Sequence, residues 1–131
     1  MAAELRVDVL ACITRHWLRD DTTLNLYGWW PDHQKPPVVI FSCAGFDDLA
    51  AEGRETDRVI ANVVVTALSG FLSEMGTHEK GAKDCPMAYN EDRDFAKLTG
   101  RQKFDKICHA KLKKKIPKEL AALDALLETF H

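Results

Sequence analysis

No stretch of this sequence approaches the ~20 consecutive apolar residues that a membrane helix needs. Neither sign of charge dominates either: 18 Lys and Arg against 20 Asp and Glu leave a net charge of −2. A membrane helix and a global attraction to nucleic acid are therefore not expected. The glycine-rich phosphate loop, the H-E-x-x-H helix of zinc peptidases and short C-x-x-C pairs are all missing, so the usual signatures of nucleotide chemistry, histidine-based zinc catalysis and structural zinc do not apply. Internal repeats and low-complexity tracts are absent too. The opening residues, MAAELRVDVLACITRHW, carry acids within the apolar run and no basic start ahead of it. They do not read as a signal peptide, and the cytoplasm is the expected location. Thiols stay reduced there, so Cys12, Cys43, Cys85 and Cys108 are read as core residues, ligands or reactive thiols.

What is present suits one domain spanning 1–131: a chain of 131 residues can bury roughly two-thirds of its unfolded surface without disulfide staples. Leu5, Val7, Val9, Ala11 and Ile13 alternate with more polar neighbours and predict a half-buried strand, with a helix as the competing reading. Leu24, Leu26 and Tyr27 open a second strand that ends at Gly28 and the Trp29-Trp30-Pro31 step. The run VVIFSC, residues 38–43, is short, β-branched and apolar on both sides, as a central strand covered on two faces would be. Phe46 to Ala51 could form a short helical turn.

Thr56, flanked by Glu55 and Asp57, reads as an N-cap. From Val59 and Ile60 to Leu72 and Met75, apolar residues recur at three- and four-residue spacing. They predict one long helix packed on the sheet and stopped by Gly76. A loop containing Gly81 and Pro86 follows, then a short turn over Arg93–Leu98. Phe104, Ile107, Cys108, Leu112 and Ile116 recur at helical spacing, and Pro117 starts a last helix with the stripe Leu120, Leu123, Leu127 and Phe130. The expected class is α+β (mixed α/β): a small sheet of about three strands on a long core helix, then an irregular loop and two C-terminal helices.

Chemistry concentrates between Gly76 and Ile116, where two of the four cysteines and two of the five histidines lie. His78, Cys85 and Cys108, with Asp105 or His109 as the fourth group, could bind one structural zinc, which favours thiolate and imidazole donors. The competing reading makes Cys108 a small core residue, Cys85 incidental and His78 an ordinary loop histidine. A third makes Cys85 a thiolate nucleophile with His78 as its base, although no orienting group can be named. The lysines at 106, 111, 113, 114, 115 and 118 read as a solvated helix end ahead of a nucleic-acid patch, since they spread around the helix with no interleaved aromatics. Trp29-Trp30 is either half-buried or an anchor for a partner.

From Cys85-Pro86-Met87 onward the sequence resembles the archaemetzincin zinc peptidases, whose pattern is HExxHxxGxxHC, four residues, CxM, seventeen residues, CxxC. Gly76, Cys85, Met87 and Cys108 match it, over about the last 60 residues. The resemblance implies a zincin-like scaffold that has lost its catalytic metal. The three catalytic histidine positions hold Ser69, Ser73 and Glu79, and the general-base position holds Gly70. Two structural-zinc cysteine positions hold Lys80 and Asp105. The resulting expectation is a non-catalytic domain for protein interaction or regulation, with no catalytic residues assigned, possible metal ligands His78, Cys85, Asp105 and Cys108, and a protein partner. A zinc- or Cys85-dependent hydrolase and a nucleic-acid module using lysines 111–118 are the alternatives.

Overall fold

The computed structural model describes residues 9–19, 21, 28–29, 38–46, 53–89 and 103–130. Strands β1 (Leu10–Thr14), β2 (Gly28–Trp29) and β3 (Val38–Ser42) precede helices α1 (Gly53–Ser73), α2 (Lys106–Lys115) and α3 (Pro117–Phe130). The class is the mixed α+β expected from the sequence. The sheet is narrow: β3 pairs in parallel with β1 over five positions and antiparallel with the two residues of β2. The order β1-β3-β2 puts the apolar VVIFS run in the middle. Val39 and Phe41 are buried against α1, while Val38 and Ile40 on the opposite face are half-buried.

In β1 the burial departs from the alternation read in the sequence. The register pairs Ala11 with Val39 and Ile13 with Phe41, which puts both on the helix side of the sheet, yet Ile13 is 64% exposed. Leu10, Cys12 and Thr14 are the half-buried set. The cause is the position of α1, which packs over β3 and β2 but not over β1. Leu5, Val7, Leu24, Leu26, the turn at Arg93–Leu98 and all but Phe46 of the turn at Phe46–Ala51 lie outside the described residues, as do the side chains of the tryptophan pair.

Helix α1 begins at Gly53, so Thr56 lies inside its first turn rather than capping it. It ends at Ser73, ahead of the expected Gly76. Glu74 takes the left-handed φ of 56° that closes the helix, a position glycine usually fills. The end is satisfied by side chains: the Ser73 hydroxyl donates to the Ser69 carbonyl and accepts from the Met75 N–H, and Lys115 Nζ donates to the Ser73 carbonyl at 2.8 Å. A cation suits the negative end of a helix dipole, so Lys115 is tied down where the sequence suggested solvation.

Because α1 is apolar on more than one side, it is shared by two cores. Val59, Val63 and Ala67 pack with Val39, Phe41 and Phe46. Val65, flanked by Leu72 and Met75, packs with Met87, Phe104, Leu112 and the α3 leucines. In α2 the inward residues are Cys108 and Leu112, whereas Ile107 is 67% exposed, one position off that face. In α3, Leu120, Leu123 and Leu127 are buried as the stripe predicts. Phe130 is partly exposed, and its carbonyl accepts from Arg58 Nε at 3.1 Å. Among the described residues no helix is long and apolar enough to cross a membrane.

Candidate metal centre

Two short stretches build the site. The first is the loop after α1. His78 N–H donates to the Met87 carbonyl and Tyr89 N–H to the His78 carbonyl, both at 2.9 Å, which closes residues 78–89 into one bridge. Within it, Ala88 N–H donates back to the Cys85 carbonyl at 2.9 Å. This makes Cys85-Pro86-Met87-Ala88 a tight turn, and Pro86 at its second position supplies the required φ. The turn directs the Met87 N–H at the Cys85 sulfur. Thr66 Oγ1 on α1 shares its one proton between the Pro86 carbonyl at 2.6 Å and the Asn62 carbonyl of its own helix at 2.8 Å, and the fully buried Met87 anchors the turn in the core.

The second stretch is the start of α2. Asp105 is the N-cap, in extended conformation, and its Oδ1 accepts from the Cys108 N–H at 2.7 Å. An N-cap and the residue three positions later share one side of the first turn, so the capping geometry aims both donors the same way. It leaves Asp105 Oδ2 free to face His78, whose Nε2 lies 3.3 Å away. Asp105 also presents its backbone N–H to the Cys85 sulfur.

The loop and the helix start together bring one donor atom from each of His78, Cys85, Asp105 and Cys108 within 4.8 Å of one another. This is the set of possible ligands named from the sequence, with Asp105 and not His109 as the fourth member. Cys85 and Cys108 are buried and the other two half-buried. Both His78 ring nitrogens are buried without a hydrogen-bond partner, the Nε2 contact to Asp105 lacking hydrogen-bond alignment. Gly81, at φ +119°, lies over the group, where an added Cβ would stand 3.5 Å from the His78 ring and 3.6 Å from Asp105 Oδ2.

The electrostatics are those of a metal-free cluster. Burial pushes the Cys108 thiol up to about 12, reinforced by the neighbouring Cys85 and Asp105. Burial also raises Cys85, against the lowering effect of N–H groups from Asp105 and Met87. For Asp105, burial acts upward but is outweighed: the backbone N–H and thiol of Cys108, the His78 charge and the Ile107 N–H hold its carboxyl below the usual range. N–H groups aimed at sulfur and carboxylate oxygen favour the ionised ligands that a metal requires.

Other candidates lie elsewhere. His109 Nε2 is 3.0 Å from Asp124 Oδ2, bridging α2 to α3. Cys43 does not face the loop; its thiol donates to the Thr14 carbonyl at 3.2 Å. Ser69 and Ser73 are buried in α1, while Glu79 and Lys80 are exposed. The sequence reading missed Gly81 as the cover of the site and Thr66 as the clamp on its loop. An isolated glycine within a polar loop is the only signal that pointed to the first. No family model, no curated protein and no solved structure matches this chain.

Proposed function

We propose that this chain is a non-catalytic domain held together by one structural zinc ion and used as a scaffold for binding or regulating another protein. The observation that carries the reading is the His78 imidazole, whose two buried nitrogens have no hydrogen-bond partner, Nε2 making only an unaligned 3.3 Å contact with Asp105, inside a cluster of two thiols and a carboxylate. A buried polar atom left unpaired costs about 1–3 kcal/mol, and a cation among the four donors removes that cost for the nitrogen that binds it. Thiolate and imidazole donors suit zinc far better than magnesium or calcium. Four protein donors complete a tetrahedral shell, which supports a structural rather than a catalytic role.

Kinship with the archaemetzincins is part of the same proposal. The resemblance puts structural-zinc ligands at positions 80, 85, 105 and 108. Cys85, Asp105 and Cys108 all belong to the cluster, with His78 taking the place of Lys80. With Ser69 and Ser73 at the catalytic positions no imidazole is available there, which leaves the surface, and hence a protein partner, as the functional part.

Elemental mass spectrometry of the purified protein, repeated for Cys85→Ser and Cys108→Ser, tests the reading. One zinc per chain in the native protein and none in either variant is the expected result. A native protein that carries no metal and takes up no added zinc refutes it. The hydrolase alternative requires an open metal position or an activated Cys85, and it predicts a hydrolytic activity lost in Cys85→Ala. The nucleic-acid alternative predicts polynucleotide binding that weakens steeply with salt and on replacing Lys113 and Lys114.

A further inference from the structure

We infer that the cluster is a redox-sensitive staple with two exclusive closed forms: a metal-bound dithiolate, and a metal-free Cys85–Cys108 disulfide produced by a hydroperoxide. The inference rests on the metal reading above and adds its regulation. The two sulfurs lie within 4.8 Å of each other. Forming an S–S bond of about 2.05 Å from there requires a closure of less than about 3 Å. Cys108 sits on the first turn of α2 and Cys85 opens the anchored turn Cys85–Ala88, so the movement comes from rotation of the two side chains toward each other. The remaining thiols do not compete. Cys43 is engaged with Thr14 at the end of β3, Cys12 lies on β1, and neither belongs to the cluster.

The oxidised form is also electrically self-contained. Once both sulfurs are neutral, a doubly charged ion has lost its two anionic thiolates and is held by His78 and Asp105 alone. Those two residues, 3.3 Å apart, can then pair with each other. Access is gated: Cys85 and Cys108 are 0% and 4% exposed. Residues 79–84, whose Gly81 lies against His78 and Asp105, are exposed throughout, and a cleft lined by His78, Gly81, Ala82 and Tyr89 opens on the His78 side.

The reaction proceeds in two steps. One thiolate sulfur attacks the terminal oxygen of the hydroperoxide, the O–O bond breaks, and the sulfur becomes a sulfenic acid while the departing alkoxide, or hydroxide, takes a proton from solvent and leaves as the alcohol or water. The second thiolate attacks that sulfur, the S–S bond forms, and the sulfenic oxygen leaves as water after taking up a proton. Two electrons pass from the two sulfurs to the peroxide bond, and the metal, deprived of both thiolates, is released.

The test uses the zinc-loaded full chain and its Cys12→Ser/Cys43→Ser double variant, which keeps the cluster intact. Each is treated with hydrogen peroxide while released zinc is followed with a chromophoric chelator and the disulfide is mapped by peptide mass spectrometry. The expected result is one zinc released for each Cys85–Cys108 disulfide, equally in both proteins, with rebinding after dithiothreitol and added zinc. Zinc retained after oxidation, zinc lost with sulfinic acids in place of the disulfide, or pairing through Cys12 or Cys43 overturns the switch and leaves the metal site standing. A chain that cannot be loaded with zinc at all overturns the metal reading, and the switch falls with it.

Discussion

Chelation is the perturbation that acts most directly on the site. An ion bound only by the folded state stabilises it by RT ln(1 + [L]/Kd), about 4 kcal/mol when free zinc is a thousandfold above Kd. A domain of this size loses about 3–5 °C of Tm per kcal/mol, so stripping the metal should lower Tm by about 12–20 °C. The loss should not unfold the chain at room temperature. The sheet–α1 core of Val39, Phe41, Phe46, Val59, Val63 and Ala67 contains no ligand, and the second core keeps Leu112, Leu120, Leu123 and Leu127. The expected picture is local. Amides that close the loop, those of His78, Cys85, Ala88 and Tyr89, should lose hydrogen-exchange protection while Val59–Ala67 keep theirs. The assay is thermal melting by circular dichroism with and without a strong zinc chelator, paired with exchange mass spectrometry. Restoring zinc should restore both signals, and magnesium should restore neither. A zinc-containing protein whose Tm ignores the chelator, or one that loses protection first in α1, would refute this account.

Four further outcomes follow from the same structure. Burial keeps both thiols protonated in the metal-free cluster, with Cys108 at about 12, so zinc must displace two protons. Its apparent affinity should fall about a hundredfold per unit as pH drops from roughly 9 to 7, and a flat profile in a chelator competition would be inconsistent with dithiolate ligation. The sign for folding of the metal-free chain is opposite. Raised thiol values favour the folded state below roughly pH 8.5, and that stability is lost as pH rises towards the folded values, which urea titrations at pH 7.5 and 10 would reveal. Gly81→Ala places a side chain at φ +119° beside His78; strain of about 1–3 kcal/mol should weaken zinc roughly 5- to 150-fold with an unchanged far-ultraviolet spectrum. Leu112→Ala empties a fully buried site at a cost of about 2–5 kcal/mol, read as a lower urea midpoint, while the folded fraction keeps its zinc.

Much of the fold was legible because its signals are local. The β-branched run at Val38–Ser42, the three- and four-residue spacing through α1 and the proline at the start of α3 each act within one element, and each element formed where expected. The C-terminal end of α1 was misplaced because its capping is decided at a distance. Lys115, 42 residues from Ser73, satisfies a carbonyl that a glycine turn was expected to close. The burial of β1 was misjudged because alternation shows which residues share a face, not whether a helix covers it. The candidate site was legible as a set of residue types, since thiols and an imidazole on one loop and the next helix are unusual neighbours. The residue types alone left Asp105 and His109 open as the fourth ligand, and only the family resemblance singled out Asp105. Both lie within a turn of Cys108, and only the N-cap geometry turns the carboxylate towards His78 while His109 leans to Asp124.

Leu68 touches both cores, and α1 is the wall between them. Both halves of the molecule therefore depend on one helix. α1 covers Val39 and Phe41 of the sheet on one side and meets the Pro86 carbonyl of the ligand loop through Thr66 on the other, so a shift of α1 against the sheet is carried to the metal ligands.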